Sequence, residues 1–204
     1  KINLSSYSNF QLINADFMKL NLKKLFEENF GDKKIKVIAN LPYYITSPII
    51  MKLLEEGTNI DTITLMVQKE VAQRITASPG NKDYGVLTLS VQYYAIPEIV
   101  LIVPPEAFMP MPGVDSAVIH LTMREKPPVS LVDETLFFKV IKAAFNQRRK
   151  TLLNALKGSH LKLEKDEIEA ILHQCGIDPT RRGETLSMDE FAELSNKISH
   201  FLKK

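Results

Sequence analysis

One strand-to-helix junction constrains the fold of this chain more than any other stretch of its sequence. An almost continuous apolar run at residues 35–39 has the length and β-branched content of a buried strand. After an intervening loop, the sequence predicts a helix with Ser47 as its N-cap and Pro48 at its first position, ending at Gly57. Such a junction is typical of α/β sheets, whose ligands bind at the carboxyl ends of the strands.

The loop of this junction is Asn40-Leu41-Pro42-Tyr43-Tyr44. Proline fixes φ and lacks an N–H, so it stiffens the loop. A stiff loop can direct the Asn40 carboxamide oxygen and the Leu41 carbonyl to one point, where two acceptors suit the two N–H donors of an exocyclic amine. Accepting both hydrogens makes the nitrogen lone pair available as a nucleophile, and Tyr43 adds a flat face for a base. A tight turn capped by its own side chain is the simpler alternative.

Asp16 is predicted to lie at the same edge of the sheet. It follows a short predicted strand at residues 11–14 and precedes a predicted helix at residues 19–30 that ends at Gly31. A carboxylate here can accept a hydrogen bond from the amino group of an adenosyl moiety. It can equally serve as a helix N-cap.

The middle of the sequence predicts a further strand and helix at this edge of the sheet. Residues 62–67 indicate a buried strand, Gln68 follows it, and residues 69–76 indicate a helix. Residues 78–84 predict a solvated polar turn. Residues 85–95 fit either a helix or a strand on periodicity alone.

A proline-rich loop joins the last two predicted strands, residues 96–103 and 115–123. Because residues 104–113 connect them directly, antiparallel pairing is the simplest arrangement. The loop holds four prolines around Phe108. A phenylalanine exposed on a stiff loop favours the interpretation that its ring binds a partner. The alternative is that Phe108 folds back into the core as a plug.

Beyond a linker at residues 124–130, the sequence is predicted to be helical. The predicted helices are residues 134–145, 148–157, 164–174 and 188–202. Asp133 is the expected cap of the first, and Ser187 with Glu190 forms a capping box for the last.

Two short basic runs occur in this helical part. Arg148, Arg149 and Lys150 stand at a predicted helix start, where the macrodipole disfavours cations. Arg181 and Arg182 form a second pair in a loop. Phosphate contact would account for these positions, although a solvated surface is the default for a short run. With a net charge of +2, any nucleic acid must be bound by such local patches.

These motifs, in this order, resemble the ribosomal RNA small-subunit adenine dimethyltransferases. The shared motifs are NLPY, MVQKEVAQRI, PPEAF with the prolines and VDS that follow, FNQRRKTL and RRGETLS. Enzymes of this family use S-adenosylmethionine to put two methyl groups on adenines of small-subunit (16S) ribosomal RNA. Gly113 stands where a basic residue is common. The family's basic arm, Gly-rich loop and acidic ribose-binding residue are lacking, so we expect a fragment.

The resemblance implies a role for each candidate residue. The catalytic set is Asn40, Leu41, Pro42, Tyr43 and Phe108, the cofactor-binding set is Asp16 and Asn40, and the RNA-binding set is Arg148, Arg149, Lys150, Arg181 and Arg182. Tyr43 and Phe108 would enclose the flipped adenine between their rings, and no metal takes part.

The implied fold is α/β. A Rossmann-like methyltransferase sheet without its first two strands, ending in an antiparallel hairpin, would occupy residues 1–126. A small all-α RNA-binding domain would occupy residues 127–204. Residues 85–95 are helical in the family.

The remaining expectations concern compartment and partners. The single cysteine, Cys175, excludes a disulfide framework within the chain and favours a reducing cytoplasm. No apolar run is long enough to span a membrane, and no cluster has metal-ligand spacing. The expected partner is ribosomal RNA in the small ribosomal subunit, with a role in ribosome biogenesis.

Two other functions remain open on the sequence. The chain could be an RNA-binding or ribosome-assembly module without activity in this fragment. It could also belong to the related enzymes that methylate adenine in large-subunit ribosomal RNA, from which the RRK and RRGETLS segments differ.

Overall fold

Four strands form one mixed sheet in the computed structural model, which describes residue 4 and residues 7–203. The strands are β1 (Ile35–Asn40), β2 (Ile60–Gln68), β3 (Ala95–Val103) and β4 (Ser116–Met123), in the spatial order β1-β2-β4-β3. β1 and β2 are parallel, whereas β4 is antiparallel to both β2 and β3. The predicted α/β class with an antiparallel hairpin at the end of the sheet is therefore confirmed.

Helices flank the sheet and make up the rest of the fold. They are α1 (Leu22–Phe30), α2 (Thr46–Glu56), α3 (Lys69–Ile75), α4 (Val86–Tyr94), α5 (Glu134–Asn146), α6 (Leu152–Lys157), α7 (Lys165–Gln174) and α8 (Met188–Leu202). Most of residues 85–95, which periodicity left ambiguous, form helix α4, and Ala95 begins β3. The predicted caps of α5 and α8 are confirmed, since Asp133 accepts from the Leu136 N–H and Ser187 forms a capping box with Glu190.

The first hydrophobic core lies on one face of the sheet. Alternate residues of the central strand β2, Ile63, Leu65 and Val67, are fully buried. They pack in one cluster with the apolar faces of α2 and α3 and with Val91 of α4. The period-2 alternation of a strand thus places one face in the core and leaves the other outside it.

A second core joins α4 to the C-terminal helices. Leu89 and Tyr93 of α4 pack in one cluster with buried residues of α5 to α8, whereas Val91 belongs to the first core. Opposite sides of α4 therefore support different cores. The second core includes residues from both sides of the predicted boundary at residue 126, and the division into two domains stays a prediction.

Two predicted element boundaries near the site are wrong. Residues 11–14 are not a strand, because an extended segment needs a neighbour for its backbone hydrogen bonds and the described sheet provides none beside them. Ser47 is not an N-cap. Helix α2 begins at Thr46, two residues before the predicted start at Pro48 and directly after a 3-10 turn at Tyr43–Ile45, and it ends at Gly57 as predicted.

The predicted helix start at Arg148 is also wrong. Residues 147–150 form a turn after α5, and α6 begins at Leu152 with Thr151 as its cap. The basic run therefore follows the C-terminal end of a helix, where a cation is favourable. The helix-dipole argument for phosphate binding is lost with this correction.

Tyr84 contradicts the prediction of a fully solvated turn at residues 78–84. Its side chain is only 2% exposed, and its hydroxyl donates to the Leu186 carbonyl at 2.9 Å. Burial raises the pKa of this phenol, and the nearby Glu190 carboxylate raises it further. The hydroxyl therefore remains a donor at physiological pH.

We expect Tyr84→Phe to lower the free energy of unfolding by about 1–2 kcal/mol, because the buried Leu186 carbonyl loses its donor. Urea denaturation monitored by circular dichroism measures the change. Tyr7→Phe is the matched control at a position that is 60% exposed, and it should change stability by less than about 0.5 kcal/mol. Equal effects of the two variants would contradict the assigned role of the Tyr84 hydroxyl.

Candidate active site

The sheet itself fixes the loop that follows β1. Asn40 is the last residue of β1 and lies opposite Met66 of β2, and the Leu41 N–H continues the pairing by donating to the Met66 carbonyl at 3.3 Å. Leu41 is buried, with 8% exposure, whereas Asn40 is exposed. The Thr46 hydroxyl donates to the Pro42 carbonyl at 3.1 Å and closes the turn. The Asn40 carboxamide is thus available at the carboxyl edge of the sheet.

Tyr43 is anchored to the other side of the same edge. Its hydroxyl lies 2.5 Å from the hydroxyl of Ser116, a fully buried residue at the start of β4. Ser116 pairs with Gln68 of β2 and with Val103 of β3. One hydrogen bond therefore connects the loop after β1 to the point where β2, β3 and β4 meet.

Phe108 lies in the loop between β3 and β4, residues 104–115, here called the Phe108 loop. A short 3-10 helix at Pro105–Ala107 leads into Phe108, whose N–H donates to the Pro105 carbonyl at 3.1 Å. Its side chain is half-buried but belongs to neither core cluster of the described residues, which disfavours the alternative of a core plug. Ring-to-ring contacts in the described part of the chain involve neither Phe108 nor Tyr43, and both residues are half-buried.

The end of the Phe108 loop is attached to helix α3 by two bonds. Lys69 Nζ lies 2.8 Å from the Asp115 carboxylate, and the Lys69 N–H donates to the Asp115 carbonyl at 3.0 Å. Sequence reasoning missed the roles of Ser116, Lys69 and Asp115. The signal was the V-D-S segment after the prolines, which was used only as part of the motif.

Asp16 and the loop after β1 face one cavity of about 320 Å³. The cavity has mostly apolar walls, including Phe17, Met18, Leu41 and Pro42, while Asn40 is not among its lining residues. Asp16 caps a 3-10 helix by accepting from the Met18 N–H at 3.0 Å, so the capping alternative is realised. That bond uses Oδ1 and leaves Oδ2 exposed, 3.9 Å from the Lys19 ammonium.

This cavity fits the adenosyl part of S-adenosylmethionine. A purine needs flat apolar walls, and its amino group needs an acceptor such as Asp16 Oδ2. A carboxylate can accept hydrogen bonds through both of its oxygens, so Asp16 Oδ2 can still accept one while Oδ1 caps the 3-10 helix. The residues are therefore chemically compatible with the cofactor, and its binding by Asp16 stays a prediction.

Two of the five predicted RNA-binding residues are engaged within the protein. Arg148 donates to the carbonyls of Lys82 and Tyr84, at 2.6 and 3.2 Å. Arg181 donates to Thr185 and forms a bidentate pair with Glu190. Arg148 therefore connects the turn after α5 to the loop before α4, and Arg181 connects two segments of the C-terminal helical part.

The other three form what we call the basic patch: Arg149, Lys150 and Arg182. All are exposed, and their side chains make no hydrogen bond or ion pair within residues 7–203. The backbone brings the two sequence runs together, since the Leu152 N–H donates to the Arg181 carbonyl at 2.6 Å. Backbone positions that are distant in the sequence are thus close together in the fold.

Similarity to solved structures first shows the fold of this protein. It resembles a dimethyladenosine transferase from Plasmodium falciparum with a TM-score of 0.76 and 24% identity, over 94% of this chain and 73% of that one. It also resembles the 23S rRNA methyltransferase ErmE, with a TM-score of 0.66 and 23% identity, over 97% and 75% of the two chains. The fold is that of the Rossmann-like ribosomal RNA methyltransferases.

Sequence comparisons then give the family. The model of the ribosomal RNA adenine dimethylases matches residues 1–200. Proteins named ribosomal RNA small subunit methyltransferase A are 52% identical in Alkaliphilus oremlandii (98% of this chain, 69% of that protein) and 53% identical in Geobacillus thermodenitrificans (96% and 68%). The chain belongs to the ribosomal RNA adenine dimethylase family, whose members are enzymes that take the methyl group from S-adenosylmethionine.

The described residues contain neither a candidate membrane span nor a candidate metal site. Over residue 4 and residues 7–203, no helix combines the length and hydropathy needed to cross a bilayer. Within the same residues, no three histidine, cysteine or acidic side chains are grouped to hold a metal ion.

The Arg181–Glu190 pair generates a pH-dependence prediction. Hydrogen bonds from Arg181 are the largest cause of the lowered pKa of Glu190. A carboxyl with a lowered folded-state pKa adds stability above its unfolded pKa of about 4.3, and this contribution is lost as the pH falls through the folded value. We therefore expect Glu190→Gln to lower the melting temperature at pH 7. Below about pH 4 the difference in melting temperature between this variant and the wild type should become smaller.

Thermal melts from pH 3 to pH 7 measure this effect. Glu193→Gln, on the exposed side of the same helix, is the matched control and should follow the wild-type curve. A constant difference between Glu190→Gln and wild type at every pH would show that charge pairing is not the cause.

Proposed function

We propose that this chain carries the adenine site of an S-adenosylmethionine-dependent enzyme that dimethylates N6 of adenines in small-subunit ribosomal RNA. The single observation that carries the proposal is the exposed Asn40 carboxamide at the end of β1, next to a tyrosine held by Ser116. The relatives with about half of their residues identical bear the name of such an enzyme.

Binding begins with a base removed from its stack. Because N6 takes part in base pairing and stacking hides the ring, the adenine has to enter a pocket to react. Tyr43 and Phe108 offer ring faces on two loops at one edge of the sheet. The Ser116 hydrogen bond restricts the Tyr43 ring, so less conformational entropy is lost when a base stacks on it.

The amine is then oriented by two oxygen acceptors. The Asn40 carboxamide oxygen and the Leu41 carbonyl accept its two hydrogens, which directs the nitrogen lone pair away from the ring. Pro42 keeps these acceptors in place, and the rate is gained from positioning. S-adenosylmethionine supplies an electrophilic methyl group when bound, with Asp16 as the acceptor for its adenine amine. The proton of the methylated amine passes to bulk water, and a second transfer follows at the same position.

RNA contact outside the pocket is assigned to the basic patch. Arg149, Lys150 and Arg182 are exposed cations without a side-chain partner among the described residues, as phosphate binding requires. Arg148 and Arg181 support this surface from within. Action on ribosomal RNA implies a cytoplasmic protein with a role in ribosome biogenesis.

The basic patch also favours a second function. An assembly module that binds small-subunit RNA without methylating it would need the same three cations but neither Asn40 nor Phe108. Methylation of large-subunit RNA would need the same adenine pocket. Transfer of labelled methyl groups to purified small and large subunits separates the three functions.

We expect Asn40→Ala in the enzyme to lower methyl transfer at least about 100-fold, because a positioned acceptor of the reacting group is lost. The measurement is single-turnover transfer of labelled methyl to small-subunit RNA. RNA affinity should stay within about twofold, since the patch is intact. Asn29→Ala, on exposed helix α1, is the matched control. Full turnover by Asn40→Ala would exclude the proposed role of Asn40.

We expect replacement of Arg149, Lys150 and Arg182 by glutamine to weaken RNA binding and to flatten its salt dependence. Loss of three phosphate contacts should reduce the slope of log affinity against log salt by about 2. Fluorescence anisotropy across a salt series measures it. Glutamine at Lys162, Lys165 and Lys197, outside the patch, removes the same charge as a control. An equal change in both triple variants would leave the patch without a specific role.

A further inference from the structure

A polar cleft that the proposed mechanism does not use lies beside the candidate active site. It is formed between helix α3 and the Phe108 loop and has a volume of about 490 Å³. One wall consists of residues 68–70 with Gln73, and the other consists of Pro105 with residues 113–115. This volume is within the range of small-ligand sites.

The cleft is next to the rings proposed to enclose the adenine. Gln68 pairs with Ser116 in the sheet, and Ser116 holds the Tyr43 hydroxyl at 2.5 Å. The opposite wall belongs to the loop that carries Phe108. A nucleotide adjacent to the flipped adenine would therefore pass the mouth of this cleft.

The charges of the cleft disfavour a phosphate. Its lining contains one ammonium, Lys69, and two carboxylates, Glu70 and Asp115. The ammonium is already paired with Asp115 at 2.8 Å, and Glu70 pairs with Arg74 at 3.3 Å. Each charged group of the lining is therefore already paired within the described residues, and the lining offers no unpaired cation to a phosphate.

The uncharged groups of the cleft suit a nucleobase. Gln68 is half-buried and Gln73 is exposed. Within the described residues, neither carboxamide takes part in the Lys69–Asp115 or Arg74–Glu70 pairs that line the cleft. A carboxamide offers an acceptor and two donors, the combination that recognises a base edge. Pro105 and Val114 add apolar surface for a ring face, and a Cβ added at Gly113 would meet no atom within 4 Å.

We propose that this cleft binds the nucleobase next to the methylated adenine, and that it prefers a base with an exocyclic amine (adenine, cytosine or guanine) to uracil. Single-stranded RNA is recognised by bases splayed into separate sites, so two neighbouring bases can occupy adjacent pockets. The carbonyl oxygens of the glutamines and the carboxylates accept from an exocyclic amine, which uracil lacks. This inference rests on the proposed function and extends it to the sequence around the target.

The test combines a protein variant with a set of RNA hairpins. The hairpins carry the target adenine with adenine, cytosine, uracil or an abasic site at each neighbouring position in turn. For the native enzyme we expect kcat/KM to fall about 5- to 30-fold from adenine to the abasic site at one position. Gln73→Ala should lose this difference and should equal the native enzyme on the abasic hairpin.

Gln174→Ala, at the exposed end of α7, is the matched control and should keep the native preference. A uniform effect of Gln73→Ala on every hairpin, or a native enzyme indifferent to both neighbouring bases, would overturn the inference while leaving methylation itself intact. Absence of methylation of every hairpin and of intact subunits by the native enzyme would instead overturn the proposed function, and this inference with it.

Discussion

The pairing of the central strand β2 is the constraint on which the rest of the structure depends. Its buried residues Ile63, Leu65 and Val67 fix which face enters the core, because a shift by one residue would expose all three. With that register set, Asn40 lies opposite Met66 and Ser116 lies opposite Gln68. The backbone hydrogen bonds of the sheet therefore position both loops of the candidate site independently of side-chain contacts within the site.

Strongly patterned elements near this strand could be predicted from the sequence. The strand before Asn40, the helix stop at Gly57 and the capping box at Ser187 all follow from local chemistry. The extended segment at residues 11–14 could not be judged locally, since a strand exists only through its neighbour. The helix after the site loop follows a 3-10 turn that the Thr46 hydroxyl closes by a bond to Pro42, a local contact that the Ser47-Pro48 signal did not indicate.

The candidate site was predictable in composition but not in the division of roles. Arg148 and Arg149 are adjacent in the sequence and look equivalent, yet only the first reaches the Lys82 and Tyr84 carbonyls, some 65 positions away. Such long-range contacts decide which cation is structural and which is open to a ligand. Ser116 was hidden for the same reason, because its partner Tyr43 is 73 positions distant.

Helix α4 makes the two hydrophobic cores energetically interdependent. Val91 belongs to one core, while Leu89 and Tyr93 belong to the other. Unfolding of either core would therefore remove the packing from one side of α4 and destabilise the other core. Stabilising a surface position of the C-terminal helices should consequently protect the sheet as well. A substitution far from the reacting adenine could in this way change how much folded enzyme a cell maintains.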